Sequence, residues 1–305
     1  MNGILVLNKP AGPTSFDMVR LVKRLTGLRR VGHGGTLDPA ASGVLPILLG
    51  QATRISEYLL TGRKAYRAEL HLGVVTNTYD SEGEILSNVD ASDATEAQVE
   101  SALAAFRGAS LQTPPMHSAI KQKGQPLYKL ARQGIEVKRE PRAVEVYRLD
   151  LCRWQPPKFT LEVECSKGTY IRSLAHDLGT ALGYGAHLRS LVRTRVGPFS
   201  ITDALGMEAL FDAAHGGYLH TCAFAMDWPL MDIPAAILDS DEVAEVRQGR
   251  SIEIDPSFLR NGEREWPGET SCRAFDPDGV LVGLLTLDVE GAALRPTKIF
   301  PPSPS

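Results

Sequence analysis

Residues 32–54 read GHGGTLDPAASGVLPILLGQATR, and the reading of this stretch decides the rest. It holds one carboxylate, Asp38, among glycines, small residues and aliphatics. The glycines at 32, 34 and 35 leave room for the close approach of another chain. Pro39 fixes its own φ, lacks an N–H and biases Asp38 toward an extended conformation. The apolar run from Val44 to Leu49 belongs inside a core. Two readings stand side by side. Leu37-Asp38-Pro39 taken alone is a turn whose aspartate caps its own backbone. With a core behind it, the same turn holds an acid rigidly at the core's edge, a place suited to chemistry.

Working outward, the chain has 305 residues, 43% of them hydrophobic, enough for one large domain or a large and a small one. No run approaches the ~20 apolar residues of a membrane span. The N-terminus, MNGILVLNKP, has no basic segment before its apolar run and no small-residue cleavage site, so it reads as a short strand rather than a signal peptide. Cys152, Cys165, Cys222 and Cys272 are scattered, with no CxxC. That argues against a zinc site or a disulfide framework and points to a cytoplasmic protein. The net charge of −3 hides a segregation. Residues 1–70 carry 10 Lys/Arg against 4 Asp/Glu, and 71–105 carry 7 acids and no Lys/Arg. Residues 106–150 carry 9 against 4, 151–200 carry 7 against 3, and 201–305 carry 7 against 18. Basic segments brought together in the fold would make one basic face, and a polyanion such as RNA is its natural partner. A merely solvated charged surface is the competing reading.

In chain order, Gly3–Leu7 is expected as a strand. Thr14 or Ser15 caps a helix with Asp17 in its first turn, ending near Gly27. Gln51–Leu60 is expected as a helix. From Ala65 to Gly73, Tyr66, Ala68, Leu70 and Leu72 share one face of a strand, which makes Tyr66 by periodicity a core aromatic. Residues 76–93 read as a long connection and Ala94–Phe106 as an acidic amphipathic helix. Gln112–Arg142 is rich in Pro, Gly and Lys/Arg and reads as a mobile basic arm. Val144–Leu151 and Phe159–Cys165 alternate as strands, and a strand-to-helix junction spans Ser166–Ser173. There Arg172 is either an ordinary surface arginine or a fixed partner for a buried carboxylate. Gly185–Arg195 is another basic segment. After a linker at Trp228–Pro234, a helix over Asp241–Gln248 and strand-like pieces at Ser251–Ile254, Ser271–Phe275 and Val280–Leu287 make a small, mostly β module. Its turns fall at Gly262 and Asp276–Gly279, and a Pro-rich tail frays from Phe300. Strands with helices interspersed, lacking regular βα alternation, indicate an α+β catalytic domain.

Five separated stretches resemble the TruB family of tRNA pseudouridine synthases. They are NKPAGPTSFD, residues 32–54 above, KAYRAELHLGVVTNTYDSEG, TPPMHSAIKQKGQPLYKLAR and CSKGTYIRSLAHDLGTALGYGAHLRSLVRTRVG. The resemblance implies a mixed, mainly antiparallel central sheet in a catalytic domain over 1–230, with an RNA-gripping basic insertion near 121–148. A PUA-like domain over 231–300 and a frayed tail at 301–305 follow. It assigns Asp38 as the catalytic residue, Tyr66 as the aromatic stacked on the target base and Arg172 as the partner of Asp38. Tyr170 and Leu191 are neighbouring active-site positions, His33 helps pry the nucleotide from its loop, and Lys9 lies in an opening motif that supports the site. Asn77 and His117-Ser118 depart from the family pattern in positions expected to alter loop contacts, and the acidity of 201–305 bears on how far the C-terminal module contributes to RNA affinity.

The implied reaction isomerises uridine 55 (tRNA numbering) in the T loop to pseudouridine by base flipping and an Asp-dependent mechanism. It needs no cofactor, metal, guide RNA or obligatory protein partner, and implies a monomer away from membranes whose partner is the tRNA T stem-loop. The alternatives are a synthase for another RNA and an RNA-binding or RNA-folding protein in which catalysis is incidental.

Overall fold

A computed structural model describes residues 1–118, 120–122, 124–253, 270–288 and 292–302. The chain opens with β1 (Gly3–Lys9), α1 (Ser15–Thr26), β2 (Val31–His33) and β3 (Ser42–Leu49). α1 begins in a capping box: the Thr14 hydroxyl accepts from the Asp17 N–H, and the Asp17 carboxylate accepts from the Thr14 N–H. It ends on Gly27 at φ 68°. β3 is the apolar run, buried from Gly43 to Leu49. The helix expected over 51–60 is split into a 3-10 turn at Gly50–Ile55 and α2 (Ser56–Thr61). Between them Ile55 is fully buried, and its ψ of 14° interrupts the helix.

β4 (Lys64–Leu72) alternates as its sequence requires. The connection expected over 76–93 contains a hairpin of β5 (Val74–Thr76) and β6 (Ile85–Asn88). Every β6 residue is exposed, so no burial period marks it. α3 (Glu96–Leu103), β7 (Gly108–Gln112), β8 (Lys121–Gln122), β9 (Gln125–Pro126) and α4 (Leu127–Arg132) lead to the long β10 (Arg142–Gln155). From Arg142 onward, therefore, the segment expected as a basic insertion over 121–148 is sheet. Then come β11 (Lys158–Cys165), α5 (Ile171–Ala181), β12 (Ala186–Val196), β13 (Phe199–Ser200) and α6 (Met207–His215).

The central sheet runs β1-β3-β12-β4-β11-β10-β7, with β2 beside β3 and β13 beside β12. β3 and β12 are parallel; the other pairs are antiparallel. This is the mixed, mainly antiparallel sheet expected. α3 and α5 pack on the face carrying Ala68, Leu70, Leu161 and Val163. Around its other face the arginines are matched to acids: Arg67 and Arg148 reach Glu162 at 3.0 and 3.6 Å, Arg195 and Arg63 reach Glu164 at 2.7 and 3.6 Å, and Arg189 pairs with Glu69. A single basic face does not form there. Exposed pairs of this kind are screened by solvent and contribute little to stability.

The remaining elements are β14 (Ala235–Ile237), α7 (Ser240–Arg247), β15 (Ile252–Glu253), β16 (Thr270–Phe275), β17 (Leu281–Asp288) and β18 (Ala293–Ile299). They make a second sheet, β14-β16-β17-β18-β15, with its own core of Leu238, Val246, Ala274, Leu285 and neighbours. Ile254 and the turn expected at Gly262 lie outside the described residues, as do 303–305. Phe300 is not frayed. It is buried beside Val44 and Leu284, its N–H donates to Val282 O at 2.7 Å, and the Arg54 guanidinium lies over its ring. The expectation of fraying from Phe300 fails because the ring fills the seam between the two sheets.

One glycine sets how β12 meets β3. Gly43 has φ 105°, and a Cβ there would lie 2.2 Å from Arg193 O. Gly43→Ala is expected to cost about 2–4 kcal/mol, since it strains the backbone and drives the parallel pair apart. Thermal or urea unfolding reads this directly, and a variant as stable as the parent contradicts it.

Candidate active site

The turn between β2 and β3 holds Asp38, and its backbone is pinned residue by residue. The Ser15 hydroxyl accepts from Leu37 N–H at 2.8 Å and donates to Leu37 O at 3.1 Å. Pro39 O accepts from Gly12 N–H at 2.8 Å and from Lys9 Nζ at 3.2 Å. Asp38 O accepts from Ala41 N–H at 3.1 Å. Ahead of the turn, Arg193 donates to Gly35 O at 3.0 Å and Thr36 O at 3.1 Å. With its torsions held from both sides, the turn presents the Asp38 side chain in one direction.

Two of those anchors are buried cations. Lys9 is 0% exposed, and its ammonium also donates to Pro10 O and Pro13 O, both at 2.8 Å. Burial pulls Lys9 below the usual lysine range, while the charge of Asp38 acts in the opposite sense. Arg193, 1% exposed, adds a bond from Nε to Val44 O at 2.8 Å. Their donors are met by backbone carbonyls, and among the described residues neither has a carboxylate in ion-pair contact.

The Asp38 carboxylate is met from α5. Arg172 Nη2 lies 2.9 Å from Asp38 Oδ2 and 2.8 Å from His117 O. Nη1 lies 3.4 Å from both Asp80 Oδ2 and Thr78 O. The Arg172 side chain is 7% exposed and that of Asp38 45%. A nearly buried guanidinium thus grips one oxygen of a carboxylate that still reaches the open side. Asp80 is fixed in turn: its Oδ1 accepts from the Thr78 hydroxyl at 2.6 Å and from Glu82 N–H at 3.1 Å.

Tyr66 is buried on β4, opposite Val163 on β11 and Arg193 on β12. Its phenol is within reach of the charges of Arg193 and Asp38, and burial pushes it up to about 12. Tyr170 stands at the N-terminus of α5, its peptide clamped by Gln112, which accepts from Tyr170 N–H at 2.8 Å and donates to Tyr170 O at 3.0 Å. Burial raises its phenol too, and the charges of Arg172 and Asp38 act on it. Leu191, half-buried on β12 opposite Ala68, packs against the main core. His33 ends β2, accepts from Gly35 N–H at 3.3 Å through Nδ1, and is pushed below the usual histidine range by burial and then by Arg193. Contacts and charge couplings link six of the seven expected residues into one group about the Asp38 turn: Lys9, His33, Asp38, Tyr66, Tyr170 and Arg172. Leu191 stands two residues from Arg193 on β12.

Arg193, Asp80, Gln112 and Ser15 belong to the same arrangement and were not singled out from the sequence. Arg193 lay inside a basic segment, where a buried arginine and an exposed one are written alike. Asp80 sits in the turn-rich TNTYDSEG, where spacing gives it no distinction. Among the described residues no three His, Cys, Asp or Glu side chains group as metal ligands, and no helix is long and apolar enough to cross a membrane.

Comparison with known proteins supplies independent information. The family profile "TruB family pseudouridylate synthase (N terminal domain)" matches residues 23–171, and "tRNA pseudouridylate synthase B C-terminal domain" matches 172–227. The tRNA pseudouridine synthase B of Dehalococcoides mccartyi is 45% identical over 255 residues, 84% of this chain and 85% of that protein. The protein of the same name from Thiobacillus denitrificans is 42% identical over 300 residues, 98% and 96% of the two chains. Among solved structures, a chain of a Cbf5–Nop10–Gar1 complex is 28% identical with a TM-score of 0.72, covering 98% of this chain and 85% of that one.

The environment of Tyr66 has a pH signature. Its phenol keeps its proton in the folded state to about 12, but loses it near 10 in the unfolded chain. Between those values the native state binds the extra proton, so stability falls as pH rises. Relative to Tyr66→Phe, the parent is expected to lose stability above pH ~10, by at most ~1.4 kcal/mol per pH unit. Parallel pH profiles of unfolding for the two proteins refute this.

Proposed function

The chain belongs to the TruB family of pseudouridylate synthases, and on that footing we propose that it isomerises uridine 55 in the T loop of tRNA, unaided by a guide RNA. Pseudouridine formation in tRNA is its activity; the position, the flipping of the base and the roles below are the proposal. The observation that carries them is the Asp38 carboxylate, held by Arg172 at 2.9 Å on a pinned turn and still 45% exposed.

The reaction breaks the C1′–N1 bond of the nucleoside, turns the base and joins C1′ to C5; the C5 hydrogen leaves and N1 ends protonated. It is redox-neutral and involves no hydrolysis. A uridine stacked in a folded loop is out of reach of any carboxylate, so it is flipped into the pocket at a cost of a few kcal/mol. His33, at the rim on β2, fills the space the base vacates. Tyr66 offers a ring to the flipped base, whose π face any aromatic can stack upon. Its phenol stays neutral, raised by burial. Tyr170 and Leu191 complete the walls, and Lys9 supports the turn from behind. Asp38 acts as the ionised carboxylate. Attack at C1′, attack on the base and removal of the 2′ proton all require that oxygen beside the glycosidic bond, and Arg172 sets its direction in each case.

Support for tRNA rather than a guide-bound RNA comes from similarity: 45% and 42% identity to proteins named tRNA pseudouridine synthase B, against 28% to the Cbf5 chain. The proposed division places catalysis in 1–230 and a PUA-like RNA-binding unit in 231–300. Residues 201–305 carry 7 Lys/Arg against 18 Asp/Glu, so most phosphate contact is assigned to the catalytic part.

Asp38→Asn is expected to abolish turnover of a bare T stem-loop transcript while leaving its binding within a few-fold, with the modified base of the parent reaction mapped to position 55. Turnover by the variant, or modification at another position, refutes the assignment. If the RNA-folding role predominates instead, Asp38→Asn supplied in cells rescues the loss of the protein.

A further inference from the structure

Residue 79 lies between the two residues that meet Arg172 Nη1, whereas Asp38 meets Nη2. Tyr79 has φ 64°, a left-handed backbone conformation that L side chains rarely adopt. That turn of the chain has a visible consequence. The carbonyl of Thr78 and the carboxylate of Asp80, the residues immediately before and after Tyr79, both come to 3.4 Å from the same atom, Arg172 Nη1. The backbone of Tyr79 is also tied to β12, its carbonyl accepting from Leu188 N–H at 2.9 Å.

The Tyr79 ring stacks on His176, with centroids 3.9 Å apart and planes 12° from parallel. His176 is four residues beyond Arg172 on α5, one turn along the same helix face. His176 Nδ1 is buried and has no hydrogen-bond partner among the described residues. Burial also pushes His176 below the usual histidine range, with the charge of Asp177 acting in the opposite sense. The ring is therefore held through its face, and the loop and helix that meet at Arg172 are joined a second time by this stack.

We propose that the Tyr79–His176 stack is a positioning device for the reaction. It locks the Thr78–Asp80 segment against α5 and so fixes the Arg172 guanidinium that aims the Asp38 carboxylate. Neither ring touches the reacting nucleoside; both act through Arg172. The position of the carboxylate relative to the sugar controls rate more than affinity, because near-attack geometry is sensitive to shifts of a fraction of an ångström. Loss of the stack thus lowers kcat and leaves KM nearly unchanged. The proposal rests on the Asp38 pocket being the reaction centre.

The test is steady-state kinetics on a T stem-loop transcript, with thermal unfolding recorded for each variant. Tyr79→Gly keeps the left-handed backbone accessible and removes only the ring. It is expected to lower kcat about tenfold with KM within about twofold, the size of effect one aromatic pair supplies. Tyr79→Phe restores the stack and the rate. His176→Leu removes the helix-side ring without altering the loop, and gives the same kcat loss if Tyr79→Gly folds poorly. In an Asp80→Asn background the loss caused by Tyr79→Gly shrinks to less than about twofold, since the two act through one guanidinium. A Tyr79→Gly or His176→Leu enzyme with parental kcat overturns the proposal. So does an undiminished tenfold loss in the Asp80→Asn background, which would mark the stack as general scaffold. Asp38→Asn run alongside separates the premise from the device: an active Asp38→Asn enzyme removes the pocket itself and the proposal with it.

Discussion

One guanidinium holds the centre of this molecule together. Arg172 draws the Asp38 turn, the Thr78–Asp80 loop and the segment at His117 to a single point at the start of α5. The Asp38 turn joins β2 to β3, the Thr78–Asp80 loop lies within the separate β5–β6 hairpin and His117 follows β7, and among the described residues no strand pairing joins the three there. A buried arginine is costly unless its donors are met. Here two carboxylates and two carbonyls meet them, and removing Arg172 would leave Asp80, itself 12% exposed, without its ion-pair partner. The planar fork of arginine, which a lysine lacks, is what allows one side chain to address several acceptors from two nitrogens.

The second requirement is a turn that does not yield. Lys9, Ser15 and Arg193 bind carbonyls and one N–H on either side of Asp38, at a place where an apolar filler would leave those carbonyls unpaired. Gly43 lets β12 come close enough for Arg193 to reach Gly35 and Thr36. The strand pairing and the carboxylate geometry are therefore parts of one constraint: the parallel β3–β12 contact supplies the arginine that stiffens the turn emerging beside it.

Much of the scaffold was legible because burial is periodic there. β4 and β11 alternate cleanly, β3 is a short apolar run, and α1 announces itself by Thr14, Asp17 and Gly27. β12 was not legible. Its bulges, between Leu188 and Ser190 and between Arg193 and Arg195, break the two-residue period, and arginines occur on both of its sides. β6 is wholly exposed and β14 is three residues long, so neither has a pattern to read. Within the site, Asp38 and Arg172 each had a chemical reading beside an ordinary one and Tyr66 read as a core aromatic, so the roles of all three came from family resemblance. Arg193 escaped notice because its environment is made of carbonyls distant in sequence, and Asp80 because a turn aspartate looks ordinary until an arginine faces it.

The rate depends on the direction of the Asp38 carboxylate as well as on its presence. Asp38→Glu retains the charge and the partner while displacing the oxygens by about one methylene. Its single-turnover rate on a saturating T stem-loop is the most direct measurement. A fall on the order of 10²-fold with RNA binding intact is expected. A glutamate enzyme working within a few-fold of the parent would contradict it, because a pinned turn and an aimed carboxylate would then be irrelevant to the chemistry.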